Sequence, residues 1–181
     1  NNLRELPEGI GQLENLEKLD LHNNQLTSVP AEIGNLTNLE VLLLGYNKLE
    51  TLSADISLLT SLTTLSLCNN QLREVPVGFE KLVNLMELDL SDNNLRELPG
   101  WIGDLVNLNM LRLEYNKLAI LPDLTRLTEL KEFQMWYCDG EKMGFCCCNN
   151  YLSEEALEKL PLNSLSYLSE EALEELPLNS L

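Results

Sequence analysis

Four of the chain's five cysteines fall within eleven residues, in the stretch WYCDGEKMGFCCC from Trp136 to Cys148. Thiols in this density have several chemical uses. They could bind zinc, form a disulfide or redox pair, accept a lipid, or act as a nucleophile, as a Cys138 beside Asp139 would. Zinc needs four converging ligands, yet Cys146, Cys147 and Cys148 in an extended segment alternate sides. The single histidine, His22, lies near the other end of the sequence. Cys138 has no candidate base beside it in sequence. Acylation of the triplet is chemically plausible, but no polybasic run supplies the second membrane signal. A disulfide requires an oxidising compartment.

Other chemistry has no carrier. Gly-rich phosphate loops, HExxH, GxSxG and spaced Cys/His pairs are all missing from the sequence. The chain is therefore read as non-enzymatic, without cofactor or metal. Its formal net charge of −17 excludes nucleic acid and an anionic membrane as main partners, since both need a positive footprint. A protein surface that is basic or of mixed charge is the natural complement. No apolar run approaches the roughly 20 residues that cross a bilayer. An odd number of cysteines, three of them adjacent, does not resemble a secreted disulfide framework, which points to the cytoplasm.

What must position any functional side chain is a repeat. LEKLDLHNNQL from Leu16 returns from Leu39, Leu62, Leu85 and Leu108, each step being 23 residues, and LKEFQMWYCDG follows from Leu130 after a step of 22. The opening Asn1-Asn2-Leu3 is the tail of an earlier copy, so the sequence is expected to be a piece of a longer chain. Within each copy, alternating leucines such as Leu19 and Leu21 describe a short strand with one buried face. A lone strand of that length cannot bury it. Stacked copies can, as a parallel sheet with about 4.8 Å between strands. Asn24, Asn47, Asn70, Asn93 and Asn116 recur where the chain turns inward, and an amide there can satisfy buried backbone groups. In the second half of each copy, Pro30, Pro76, Pro99 and Pro122 set an extended start, with Ser53 in the proline place of one copy. Ile33, Ile56, Phe79 and Ile102 then point into the core. That half predicts a 3₁₀ or short helical convex face.

The pattern LPxxIGxLxNLxxLxLxxNxL over residues 1–138 resembles the 23-residue leucine-rich repeats of intracellular signalling proteins: the Ras-suppressor type, the erbin, densin and scribble group, and plant intracellular Ras-group proteins. The resemblance implies an α/β solenoid, a horseshoe with a parallel concave sheet that binds proteins. It also implies that Cys138 is structural, since cysteine is tolerated at the ladder asparagine position of such repeats. Downstream, YLSEEALEKLPLNSLS from Tyr151 and YLSEEALEELPLNSL from Tyr167 repeat with a period of 16. Ser153 and Ser169 are helix N-cap candidates, and the units resemble the helix–strand modules of cysteine-containing leucine-rich repeats. In that register Cys146–Cys148 occupy a strand slot. The expected organisation is a solenoid over 1–138, a junction over 139–150, and a C-terminal extension or cap over 151–181.

Functional candidates are the residues that the leucine pattern leaves free on the concave strands. An aromatic column comprises Tyr46, Tyr115 and Tyr137, with Trp136 beside it. An acidic cluster comprises Glu87, Asp89, Asp92 and Glu114, and Asp20 and Arg112 share that face. Aromatics beside charge are what interface hot spots are made of. On the convex side Trp101 is a weaker second candidate. The function expected is a non-catalytic scaffold binding a protein partner on its concave face. The alternatives are the recognition arm of a larger signalling enzyme, such as a kinase, phosphatase, GTPase or ubiquitin ligase, and a lipid-anchored adaptor using Cys146–Cys148.

Overall fold

The computed structural model describes residues 1–118 and 120–134. Trp136, Tyr137, Cys138, the Cys146–Cys148 triplet, the 139–150 junction and the two 16-residue repeats lie outside them.

Six strands form one parallel sheet in chain order: β1 (Lys18–Asp20), β2 (Val41–Leu43), β3 (Thr64–Ser66), β4 (Glu87–Asp89), β5 (Met110–Arg112) and β6 (Glu132–Gln134). Each pairs with the next at an offset of one repeat, so Leu19, Leu42, Leu65, Leu88, Leu111 and Phe133 form one row. Those leucines from Leu42 to Leu111 are fully covered, while Leu19, on the edge strand, is half-buried. Identical side chains in register give every repeat the same knob to bury, and the repeat unit is stable only through its neighbours.

The convex side is built from 3₁₀ helices at Glu8–Gln12, Ala31–Asn35, Ala54–Leu58, Phe79–Lys81 and Gly100–Asp104. Pro7, Pro30 and Pro99 precede three of them with φ of −69, −67 and −67°. Ser53 takes the same place with φ −62°, and its side chain accepts a hydrogen bond from the Asp55 amide. The serine thus adopts the proline geometry and adds a cap. Ile33, Ile56, Phe79 and Ile102 are buried as the pattern requires.

Two departures from strict repetition have local causes. Gly11, Gly34 and Gly103 press against the next repeat, where a Cβ would strike a backbone carbonyl oxygen, but the two equivalent positions between Gly34 and Gly103 hold Ser57 and Glu80. Opposite Ser57, Gly78 turns through the left-handed region (φ 98°), and the helix that follows shortens to Phe79–Lys81. After Pro122, where one residue is missing from the period, no 3₁₀ helix forms among the described residues. Asp123 instead closes a tight turn by accepting hydrogen bonds from the Thr125 amide and hydroxyl.

The asparagine ladder holds the inner turn. Asn47, Asn70, Asn93 and Asn116 are buried. In each, Oδ1 accepts from a leucine amide one repeat back (Leu26, Leu49, Leu72 and Leu95, all at 3.0 Å). Each Nδ2 donates to a leucine carbonyl of its own turn and to one of the preceding turn. Asn24 is only half-buried, yet its Oδ1 accepts from the Leu3 amide, the same bond that Asn47 makes with Leu26 one repeat on.

Candidate functional site: the concave face

Because the strands are in register, each outward position becomes a straight row. One row runs Lys18, Val41, Thr64, Glu87, Met110, Glu132, and the next runs Asp20, Leu43, Ser66, Asp89, Arg112, Gln134. Past the strands come His22, Gly45, Cys68, Ser91 and Glu114, then Asn23, Tyr46, Asn69, Asp92 and Tyr115.

The last of these rows has a backbone property that the leucine pattern does not carry. Asn23, Tyr46, Asn69, Asp92 and Tyr115 all have φ between 51 and 57°. Asn and Asp tolerate the left-handed region through local hydrogen bonding, whereas tyrosine adopts it at a cost. Each repeat must bend here before its asparagine turns inward, and the geometry holds Tyr46 and Tyr115 outward, 48% and 41% exposed. The two are not adjacent. Asn69 and Asp92 lie between them in the row, the Asn69 amide donating to the Asp92 carboxylate, so the rings stand three repeats apart, roughly 14 Å. Within the described residues the expected aromatic column is therefore two separate exposed rings on one row.

Tyr46 meets His22 edge-on, ring centroids 4.9 Å apart. Gly45 lies beneath them. A Cβ on Gly45 would come within 2.9 Å of His22 Nδ1 and 2.7 Å of Cys68 Sγ, so only glycine fits between those side chains. The result is a small notch floored by backbone and walled by imidazole and thiol. Burial, with the Asp89 carboxylate nearby, pushes the Cys68 thiol's pKa up, and the Ser66 hydroxyl is 3.5 Å from the sulfur. A raised pKa keeps this thiol in its less nucleophilic, protonated form. Among the described residues no cluster of His, Cys, Asp and Glu is arranged to hold a metal ion.

The acids expected to cluster do meet around β4 and β5, with Arg112 in their midst. Arg112 Nη2 and Nε donate to Glu132 Oε1 at 2.6 and 3.0 Å, and Nη1 stands 3.9 Å from Asp89. The bond to Glu132 raises the guanidinium's pKa further. Asp89 also accepts from the Ser91 amide and hydroxyl at 3.0 and 2.6 Å. Glu114 is half-buried, and its Oε2 is covered without a hydrogen-bond partner. Burial first, then repulsion from Asp89, raise its pKa above the usual carboxylate range. Glu87 is half-buried, Asp92 is exposed, and Asp20 is exposed at the β1 edge. The face thus keeps its negative character, because its central arginine is already engaged.

Trp101, the convex candidate, packs partly against the core with its ring 6.3 Å from Phe79. It is half-buried, so part of the indole remains accessible on the convex side. Sequence reasoning missed the His22–Gly45–Cys68 notch, because the three residues are 23 apart and only register brings them together.

The comparisons with known proteins agree with this geometry. The Leucine rich repeat family matches residues 1–49, 14–72 and 60–118. A leucine-rich-repeat protein of Leptospira interrogans superposes with a TM-score of 0.73 at 39% identity, covering 76% of this chain and 35% of that one. A TDR receptor does so at 0.64 and 31%, covering 75% and 28%. An internalin from Listeria monocytogenes does so at 0.61 and 26%, covering 75% and 38%. The chain therefore spans about a third of the length of the structures it matches. No curated protein matches it. With three overlapping matches along the repeats and a parallel sheet of the same architecture, the chain belongs to the leucine-rich-repeat family.

Proposed function

We propose that this chain is a non-catalytic binding module whose concave face takes a protein partner with a basic or mixed-charge surface. Leucine-rich-repeat domains are generally protein–protein interaction modules and typically lack enzymatic activity. The observation that carries the finer reading is the composition of one rigid face. Glu87, Asp92 and Asp20 remain accessible there, while Arg112 is neutralised by Glu132, and Tyr46 and Tyr115 are held outward by a left-handed backbone. Rigid aromatics lose little entropy on binding, and accessible acids steer a cationic partner. Tyr137 and Trp136 belong to the same proposed surface by their place in the sixth copy.

A second reading has its own support. The chain covers about a third of the structures it resembles, so the same face could be the recognition arm of a larger signalling protein. Either way the module would work in the cytoplasm and need no cofactor. The test is capture of partners from lysate by the native chain, by a Tyr46→Ala/Tyr115→Ala variant, by Glu87→Gln/Asp92→Asn, and by a convex Glu32→Gln/Asp55→Asn control. The concave variants should lose partners that the control keeps. Retention by both concave variants, with loss in the control, would reject this face.

A further inference from the structure

A second surface, on the flank beyond the asparagine ladder, carries the opposite charge. Glu50, Gln71, Arg73, Asn94, Arg96 and Lys117 line an open groove of about 550 Å³. Arg73 and Arg96 occupy the same place in successive repeats. The neighbouring row is tightly paired: the Gln71, Asn94 and Lys117 amides donate to the Leu49, Leu72 and Leu95 carbonyls, each at 2.8 Å. The backbones that carry the two arginines are therefore held about one repeat apart, roughly 5 Å, by this pairing.

Neither arginine is in an ion pair. Among the described residues the ion-paired cations are Arg112, with Asp89 and Glu132, and Arg126, with Asp104. Arg73 and Arg96 also donate no side-chain hydrogen bond there, although Glu74 and Glu97 follow them in sequence and Glu50 lines the groove. Lys117 Nζ is held at 2.7 Å by Asn94 Oδ1, which leaves the lysine charge uncancelled. Stacking like charges one repeat apart is unfavourable, and it persists in a chain whose net charge of −17 offers abundant acids elsewhere. A bound anion would offset it.

We propose that this groove is a docking site for an extended, carboxylate-rich segment of a protein partner, separate from the concave face. Guanidinium forks donate bidentately to carboxylates. An extended peptide presents alternate side chains on one side about 7 Å apart, close enough for two carboxylates to engage Arg73 and Arg96. The Gln71 amide, beside them, supplies a donor and an acceptor for peptide backbone. Nucleic acid fits less well. A long polyanion would meet Glu50, Glu74 and Glu97 and the acidic field of the whole chain, whereas a short run of carboxylates over Arg73, Arg96 and Lys117 meets three cations against the one lining acid, Glu50.

The test is fluorescence anisotropy of the full chain with three labelled probes: a Glu-Ser repeat peptide, the matching Gln-Ser peptide, and a single-stranded oligonucleotide. The Glu-Ser peptide should bind, more weakly as salt rises, and the Gln-Ser peptide should not. Arg73→Gln/Arg96→Gln should weaken binding by about tenfold or more, each lost charge-assisted contact contributing several-fold. Arg73→Lys/Arg96→Lys, which keeps charge but loses the fork, should fall between. Lys81→Gln/Lys131→Gln removes equal charge elsewhere and should leave binding unchanged, as should Tyr115→Ala on the concave face. Failure of the Glu-Ser peptide to bind the native chain overturns the proposal. So does equal loss in the Lys81/Lys131 variant, or tighter binding of the oligonucleotide than of the peptide.

Discussion

Replacing Asn70 by leucine removes one rung of the ladder at nearly constant volume, and the structure says which groups suffer. Leu44 O and Leu67 O each accept from two asparagine amides, so they keep Asn47 and Asn93 respectively after Asn70 is gone. The Leu49 amide has no such reserve, because its hydrogen bond is to Asn70 Oδ1 at 3.0 Å in a buried site. One orphaned buried donor costs about 1–3 kcal/mol, and two carbonyls reduced from two donors to one add about half as much again, for a total of about 1.5–4.5 kcal/mol. In urea, with a slope of about 2 kcal/mol/M, the midpoint followed by circular dichroism should fall by about 1–2 M. Asn70→Asp sharpens the test. A carboxylate still accepts from Leu49 but faces the Leu44 and Leu67 carbonyls, so its folded-state pKa is raised. Its stability deficit should shrink as pH falls through that raised value, where the protonated acid can donate again. An Asn70→Leu midpoint equal to the native one would refute the ladder as a stabilising element.

Three further outcomes follow from the geometry. Gly103→Ala drives a Cβ into the Asp123 carbonyl and should cost about 1–3 kcal/mol, while Gly100→Ala, with open space around it, should be neutral or slightly stabilising by thermal melting. Glu114 has a raised folded-state pKa, so Glu114→Gln should stabilise the chain at neutral pH; the gain should vanish as pH falls below the ordinary carboxylate range, where the native side chain is also neutral. Cys68 should alkylate more slowly than a free thiol at neutral pH, by site-resolved mass spectrometry, and Asp89→Asn should speed it by removing a neighbouring negative charge.

The fold was legible because one period dictates it. Leucines at a spacing of 23 specify strand, register and core together, and the inward asparagines can satisfy only a buried turn. What the period hides is what differs between copies. Tyr46 and Tyr115 were visible as outward aromatics, but the left-handed bend that separates and orients them is a backbone property shared with Asn23, Asn69 and Asp92. The acidic cluster was visible as composition, whereas the engagement of Arg112 by Glu132 depends on side chains crossing between β5 and β6. Arg73 and Arg96 went unremarked because, read along the chain, each is followed by a glutamate that looks like its partner. Only the structure shows those pairs unmade.

The claim that the concave sheet is the binding face is tested most directly by hydroxyl-radical footprinting of the chain alone and with a partner captured from lysate. Tyr46, Met110 and Tyr115 report on the concave side; Leu58, Val77 and Trp101 report on the convex side. The account predicts that oxidation of the first group falls on binding while that of the second is unchanged. Protection of Leu58, Val77 and Trp101, with Tyr46, Met110 and Tyr115 as reactive as before, would contradict it.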